Sequence, residues 1–262
     1  VLKTRILSAI VLAPPALAAV WFGGLSFTVL VAVVAILMGW EWDRVSNKAF
    51  GPAGIITSGA GFVASLIALG NPDIGLLIVA AGAVATGVLG LAQEGPRKAG
   101  WQMLGTVYVG LPCVALVWLR GDGDLGRAVI IWLFLIVWAT DIGAYAFGRT
   151  LGGPLLAPRI SPNKTWAGLL GGMGCAGLLG VLLVTQFEPA RTFQVLVLSV
   201  ILAVVAQLGD LAESRFKRLF GVKDTSQIIP GHGGVLDRLD GLLAAGAVLA
   251  GLVWLQGGVG VP

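Results

Sequence analysis

The sequence predicts an all-α, polytopic integral membrane protein with about nine transmembrane helices and a cytoplasmic N-terminus. Three observations carry this expectation. Apolar runs near bilayer length recur from end to end, charge is scarce inside them, and the bases gather on alternate connections. Of the 262 residues, 57% are hydrophobic and 11% charged, whereas water-soluble globules carry about 25% charged residues. The mean hydropathy is +0.93. The net charge of +4 follows this topology, so membrane lipid is an expected partner and nucleic acid is not.

Taken in order, the first run, Ile6–Val20, follows Lys3 and Arg5 and contains Ala16-Leu17-Ala18. It imitates a secretory leader with its small-residue cleavage site, but the apolar segments that follow favour a retained first helix. The other expected spans are Leu25–Trp40, Ala53–Leu69, Ile74–Leu91, Met103–Leu119, Ala128–Phe147, Trp166–Val184, Thr192–Leu208 and Leu242–Leu255. Only Trp21–Gly24 separates the first two spans, which reads as a tight hairpin or a partly re-entrant pair. Glu41 and Asp43 alternate with Trp40, Trp42 and Arg44. That pattern reads as an interfacial aromatic belt with its charges, and no chemistry is assigned to it.

With the N-terminus in the cytoplasm, all 17 Lys and Arg except Arg120, Arg127 and Arg191 fall on the cytoplasmic side. This is the positive-inside bias, and it favours an odd number of crossings. Residues 1–127 are read as N-terminal helices for packing, lipid access and dimer contacts, and residues 128–262 as a C-terminal catalytic region.

Glycine is abundant, at 40 residues. In Gly168–Gly180 glycines at 168, 171, 172, 174, 177 and 180 leave helix faces nearly bare, and Gly82, Thr86 and Gly90 repeat a four-residue step. Small residues let membrane helices approach closely. Gly172-Met173-Gly174-Cys175-Ala176-Gly177 also fits a dinucleotide fingerprint, but that motif must join a strand to a helix, and here it lies mid-helix. Packing is the better reading. Cys113 and Cys175 sit in apolar runs without metal-ligand spacing, so neither a disulfide nor a zinc site is expected.

The chemistry gathers in Gln207–Gly241 and two satellites. Acidic pairs at helical spacing, Asp210/Glu213 and Asp237/Asp240, flank the bases Arg215, Lys217, Arg218 and Lys223. Between them lies Pro230-Gly231-His232-Gly233-Gly234, which holds the only histidine. Carboxylates bind Mg²⁺ through hard oxygens, Lys and Arg take phosphate oxygens, and successive amides in a glycine turn cradle an anion. Together these point to a metal–nucleotide or metal–diphosphate site. Asp141 is an acid inside a span, which makes it a functional candidate; an ion pair with Arg149 is the competing reading. The loop Arg159–Thr165 brings Ser161, Asn163, Lys164 and Thr165 to a helix N-terminus, where anions bind readily. Capping by Ser161 or Asn163 and a topological lysine would explain the same residues.

The run from Ser214 through Phe216-Lys217-Arg218, Lys223-Asp224, Ser226, Ile229-Pro230, His232-Gly233-Gly234-Val235 and Asp237-Arg238-Leu239-Asp240 resembles the signature of the phosphatidate cytidylyltransferase (CDP-diacylglycerol synthase) family. The Ser161–Thr165 loop and the Asp141 region are similar to that family as well. The resemblance implies transfer of CMP from CTP to phosphatidate in a polytopic inner-membrane enzyme, with the site facing the cytoplasm. It also implies dependence on Mg²⁺, with one or two metal ions, and a homodimer. By position in the motif, Asp210 and Asp237 become metal ligands. Lys164, Lys217, Lys223 and Arg238 become contacts for the departing pyrophosphate, and His232 a phosphate contact or proton shuttle. Ser161, Thr165, Ser214, Arg218, Asp224, Gly233, Gly234, Asp240 and Asp141 are expected around the substrates. The rival readings are another CTP-dependent lipid enzyme, whether a cytidylyltransferase for a different lipid phosphate or a polyprenol kinase, and an ion-coupled transporter using Asp141 and Asp210.

Overall fold

The computed structural model describes residues 2–121 and 123–257. Among them are nine α-helices: α1 Leu2–Phe22, α2 Gly24–Asn47, α3 Pro52–Ala68, α4 Pro72–Glu94, α5 Pro96–Arg120, α6 Asp124–Leu151, α7 Trp166–Val184, α8 Thr192–Leu219 and α9 Leu236–Leu255. Each expected span falls on one helix, but several helices run well beyond it, as α2 does past Trp40 to Asn47, α5 before Met103 from Pro96, and α8 past Leu208 to Leu219. Seven helices are long and apolar enough to cross a membrane; α3 and the apolar part of α1, Ala13–Phe22, are shorter. The side chains of Lys3 and Arg5, on which the orientation partly rests, lie outside the described residues. Large apolar side chains such as Leu77, Leu170, Phe193 and Trp254 stand exposed on the helix surfaces, as bilayer-facing residues do.

The chain divides into two compact units, one of Val1–Ile130, Phe220–Arg238 and Gly257–Pro262, the other of Ile131–Leu219 and Leu239–Gln256. Residues 220–238 group with the N-terminal helices.

In the first unit, α1 and α2 are parted by Gly23, whose φ of +65° suits glycine. The buried Arg120 guanidinium fills the space beside it: a Cβ on Gly23 would lie 2.2 Å from Nη2. Arg120 donates to the carbonyls of Val20 at 2.7 Å and Trp21 at 3.0 Å, so a cation satisfies the open C-terminal end of α1. The α3–α5 core is joined by a buried hydroxyl chain in which Thr106 Oγ1 meets Thr57 Oγ1 at 2.8 Å and Thr86 Oγ1 at 3.1 Å. The Gly82–Gly90 step is a packing face. A Cβ on Gly82 would meet Ala60, and one on Gly90 would meet the Ala99 backbone at 2.6 Å.

The expected aromatic belt is corrected here. Trp42 is 5% exposed, Glu41 0% and Asp43 3%. Trp42 packs against Gly105, where a Cβ would lie 2.2 Å from the indole nitrogen, and donates to the Trp101 carbonyl at 3.1 Å. Asp43 accepts the Gly51 N–H at 2.7 Å, just before α3. Only Arg44, stacked over Trp40 at 4.7 Å, keeps an interfacial character. Consecutive residues of a helix point in different directions, so the burial of Glu41, Trp42 and Asp43 together means that α2 is enclosed over much of its circumference here.

In the second unit the glycines of α7 serve both neighbours. Gly172 faces the Thr140 carbonyl of α6 and Gly180 faces Ser199 of α8, so the apparent fingerprint is packing. Among the described residues the helices are joined by one short antiparallel hairpin of β1 Leu155–Ala157 and β2 Ser161–Thr165. The expected loop before α7 is therefore a strand. Its last residue does the capping, since Thr165 Oγ1 accepts the Gly168 N–H at 3.0 Å, and neither Ser161 nor Asn163 occupies that position.

Candidate active site

Within the second unit, β2 carries Lys164 to α8. Its ammonium meets Asp210 Oδ2 at 2.6 Å and donates to Gln207 Oε1 at 3.1 Å. Asp210 Oδ1 accepts from Ser214 Oγ, one turn further on, at 3.2 Å. Close approach of α8 and α9 fixes the surroundings: a Cβ on Gly209 would fall 2.6 Å from Ala244 Cβ and 2.7 Å from the Asp240 carbonyl. The Asp240 carboxylate shares an electrostatic neighbourhood with Asp210, Asp141 and Lys217. Lys217 is buried and paired with Glu213 at 2.6 Å. Arg149 is directed at the Tyr145 hydroxyl at 2.6 Å. Arg218 is exposed at the end of α8.

Within the first unit, the signature turn is built from its own sequence. Pro230 and Gly231 occupy the centre of a turn closed by His232 N donating to the Ile229 carbonyl at 2.9 Å. Gly231 has φ +78°, the left-handed value that the third position of a type II turn requires. Gly233, at φ +88°, returns the chain toward α9, and Ile229 N donates to its carbonyl at 2.9 Å. Arg238 Nε donates to the His232 carbonyl at 2.9 Å, latching the turn from the first part of α9.

Of the glycine-turn amides that the sequence offered to a ligand anion, that of Gly234 is directed at the protein's own Asp237, and those of His232 and Gly233 at the Ile229 carbonyl. Asp237 Oδ2 accepts from Thr225 N at 2.9 Å, Thr225 Oγ1 at 3.0 Å and Gly234 N at 2.8 Å. Glu41, on α2, accepts from Val235 N at 2.8 Å, Leu236 N at 2.7 Å, Ser226 Oγ at 2.6 Å and Thr225 Oγ1 at 3.2 Å. The helix N-terminus is an anion site, and Glu41 is the anion. Lys223 and Asp224 stand exposed beside this turn.

Of the residues singled out in the sequence, the structure brings Lys164, Asp210 and Ser214 into one contact group, with Asp240 and Asp141 near it, and holds Asp237, Arg238, His232, Gly233 and Gly234 about one turn. The sequence reading did not single out Glu41, Thr225 or Gln207, which these contacts include. An acid within an apolar helix was the available signal for Glu41, and the flanking tryptophans drew it to the belt reading.

Among the described residues no group of three or more His, Cys, Asp or Glu side chains is arranged to hold a metal ion. Mg²⁺ in nucleotide sites takes one or two carboxylates and completes its shell with phosphates and water. Asp210 and Asp237, taken separately, each present hard carboxylate oxygens of the type such a cation binds.

Over residues 3–256 the chain matches the cytidylyltransferase family, and it belongs to that family. It is similar to the phosphatidate cytidylyltransferase of Brucella suis biovar 1 (strain 1330), with 42% identity over 255 residues covering 95% of this chain and 92% of the relative. The phosphatidate cytidylyltransferase of Pseudomonas aeruginosa is 35% identical over 268 residues, or 98% of both chains. That of Staphylococcus haemolyticus is 42% identical over 142 residues, 54% of each chain.

Proposed function

We propose that this multi-pass membrane protein transfers CMP from CTP to phosphatidate, giving CDP-diacylglycerol and pyrophosphate. The observation that carries the reading is the Lys164–Asp210 contact, which ties the strand before α7 to the start of the signature stretch in a chain of this family. A phosphate oxygen of phosphatidate attacks the α-phosphorus of CTP, a new P–O bond forms, and the bond from that phosphorus to the β-phosphate bridge breaks. The phosphate monoester is already ionised near neutral pH, with a second pKa of about 6, so no strong general base is needed. Such a transfer calls for positioning and charge neutralisation.

Mg²⁺, one ion or two, supplies Lewis-acid neutralisation of the triphosphate when bound, with Asp210 and Asp237 as the residues to hold it. An ammonium has three N–H groups. Lys164 directs them at Asp210 and Gln207 and has one to give a phosphate oxygen. Lys223 and Arg238 offset the charge of the departing pyrophosphate, and Lys217 instead holds Glu213. The acyl chains stay in the bilayer while the headgroup meets a water-soluble nucleotide at the cytoplasmic face of the inner membrane. The same reading carries a homodimer.

The test is purified protein in mixed micelles with α-labelled CTP, phosphatidate and Mg²⁺. CDP-diacylglycerol and pyrophosphate in equal amounts are expected. Release of CDP with a phosphorylated lipid would make the protein a kinase and overturn the proposal.

A further inference from the structure

We infer that Glu41 is a positioning residue for this transfer: its buried carboxylate ties the signature turn and the start of α9 to α2, and through Thr225 it steadies Asp237. A carboxylate wholly removed from water is costly unless its lone pairs are filled. Glu41 is 0% exposed and is filled by the four donors of residues 225, 226, 235 and 236. Two of these are side-chain hydroxyls ahead of the Pro230-Gly231 turn and two are amides after it, so one side chain clasps both arms. Thr225 Oγ1 has a single proton, and it lies 3.2 Å from Glu41 Oε2 and 3.0 Å from Asp237 Oδ2. The two carboxylates are coupled through that hydroxyl.

Gly234 shows how tightly the clasp is drawn. A Cβ there would lie 2.0 Å from Thr225 Oγ1 and 2.5 Å from Glu41 Oε1. Asp43 provides the contrast. It is also a buried acid of α2, but its carboxylate accepts from Gly51 N just before α3 and from Asn47 of its own helix.

The role rests on the CMP-transfer reading, and the measurements separate the two. In a background without Cys113 and Cys175, the exposed Gln227 is replaced by cysteine, and thiol labelling is compared with and without Glu41→Gln. Steady-state kcat, and KM for CTP and phosphatidate, are measured for Glu41→Gln, Glu41→Asp and Asp43→Asn per folded molecule. The expected result for Glu41→Gln is faster labelling, a loss of about tenfold or more in kcat and little change in KM for phosphatidate. Asp43→Asn keeps the wild-type kcat. Thr225→Val and Glu41→Gln combined lose less than the product of their separate losses, because both remove one coupling.

A kcat within about threefold of wild type for folded Glu41→Gln, or equal losses in Glu41→Gln and Asp43→Asn, overturns the role. If Glu41→Gln yields no folded protein, Thr225→Val alone decides: a lowered kcat supports the coupling and a wild-type kcat overturns it. Faster labelling in a protein that makes no CDP-diacylglycerol even as wild type would leave the clasp standing and remove the transfer reading.

Discussion

The Lys164 ammonium and the Asp210 carboxylate meet at 2.6 Å, which joins β2 to α8 and fixes where a basic strand residue stands relative to a candidate metal ligand. Both side chains are partly buried, so the pair is less screened than a surface ion pair. The same ammonium also holds Gln207. Lys164 is thus held in a defined contact group as well as counting toward the positive-inside bias.

Lys164→Gln removes a charge-assisted contact to phosphate and unpairs Asp210. The expected loss in kcat/KM is about ten- to a hundredfold, from the roughly 1.5–3 kcal/mol of a hydrogen bond to a charged group. Arg97→Gln also removes one basic charge but lies outside both motifs and is the control. Equal, minor losses in the two variants would return Lys164 to a topological role.

Asp210→Asn and Asp237→Asn should both abolish turnover, but they should differ in stability. Asp210 is held by two side chains, and its amide analogue should insert and purify normally. Asp237 Oδ2 gathers three donors of the signature turn, so Asp237→Asn should also lose roughly 1–3 kcal/mol of stability, the cost of weakening bonds to a charged acceptor. Thermal unfolding in detergent, followed beside the activity assay at limiting Mg²⁺, checks both halves. Near wild-type activity in either variant would remove that residue from the ligand set.

Gly209→Ala should damage the site without touching a polar group. Its new methyl would press on the Asp240 carbonyl at 2.7 Å, forcing α8 and α9 apart where Asp210 and Asp240 stand. Overpacking of this kind costs about 1–3 kcal/mol. Gly174→Ala, in α7 with nothing within 4 Å of its added Cβ, should be neutral or stabilising by about 0.5–1 kcal/mol through its helix propensity. The paired Tm values, with kcat alongside, test whether glycine is required at the first position and dispensable at the second.

Much of this was legible in the sequence, because a bilayer makes helices announce themselves by length and composition alone. The glycine stripe of α7 needed no coordinates. The site was legible only where residues close in sequence share a turn, as Pro230, Gly231 and His232 do. Glu41 shows the limit. Its partners lie 184–195 residues away, and the local pattern of acids between tryptophans had a sufficient surface explanation. The glycine turn shows another: the sequence offers amides for an anion but does not tell a ligand from a carboxylate of the same chain. Likewise the strand at Ser161–Thr165 is invisible to periodicity at such short length.

The orientation is the last expectation to be put to measurement. All Lys and Arg except Arg120, Arg127 and Arg191 fall on the cytoplasmic side if the N-terminus is cytoplasmic, and α9 then carries the chain out across the bilayer. Its 20 residues, Leu236–Leu255, rise about 30 Å at 1.5 Å each, enough to span the hydrocarbon core. A cysteine before α9 and one after it should therefore label from opposite sides. Ser226 is a poor position for the first, because its hydroxyl holds Glu41 at 2.6 Å; its exposed neighbour Gln227 avoids that contact. Gly257, just past α9 and exposed, takes the second. With Cys113 and Cys175 removed, a membrane-impermeant thiol reagent should modify Gly257→Cys in intact cells and Gln227→Cys only in inverted vesicles. Labelling of both from one side would remove α9 as a crossing and with it the odd helix count. Labelling in the reverse sense would put the signature turn on the face away from the nucleotide pool, which CTP-dependent transfer does not allow.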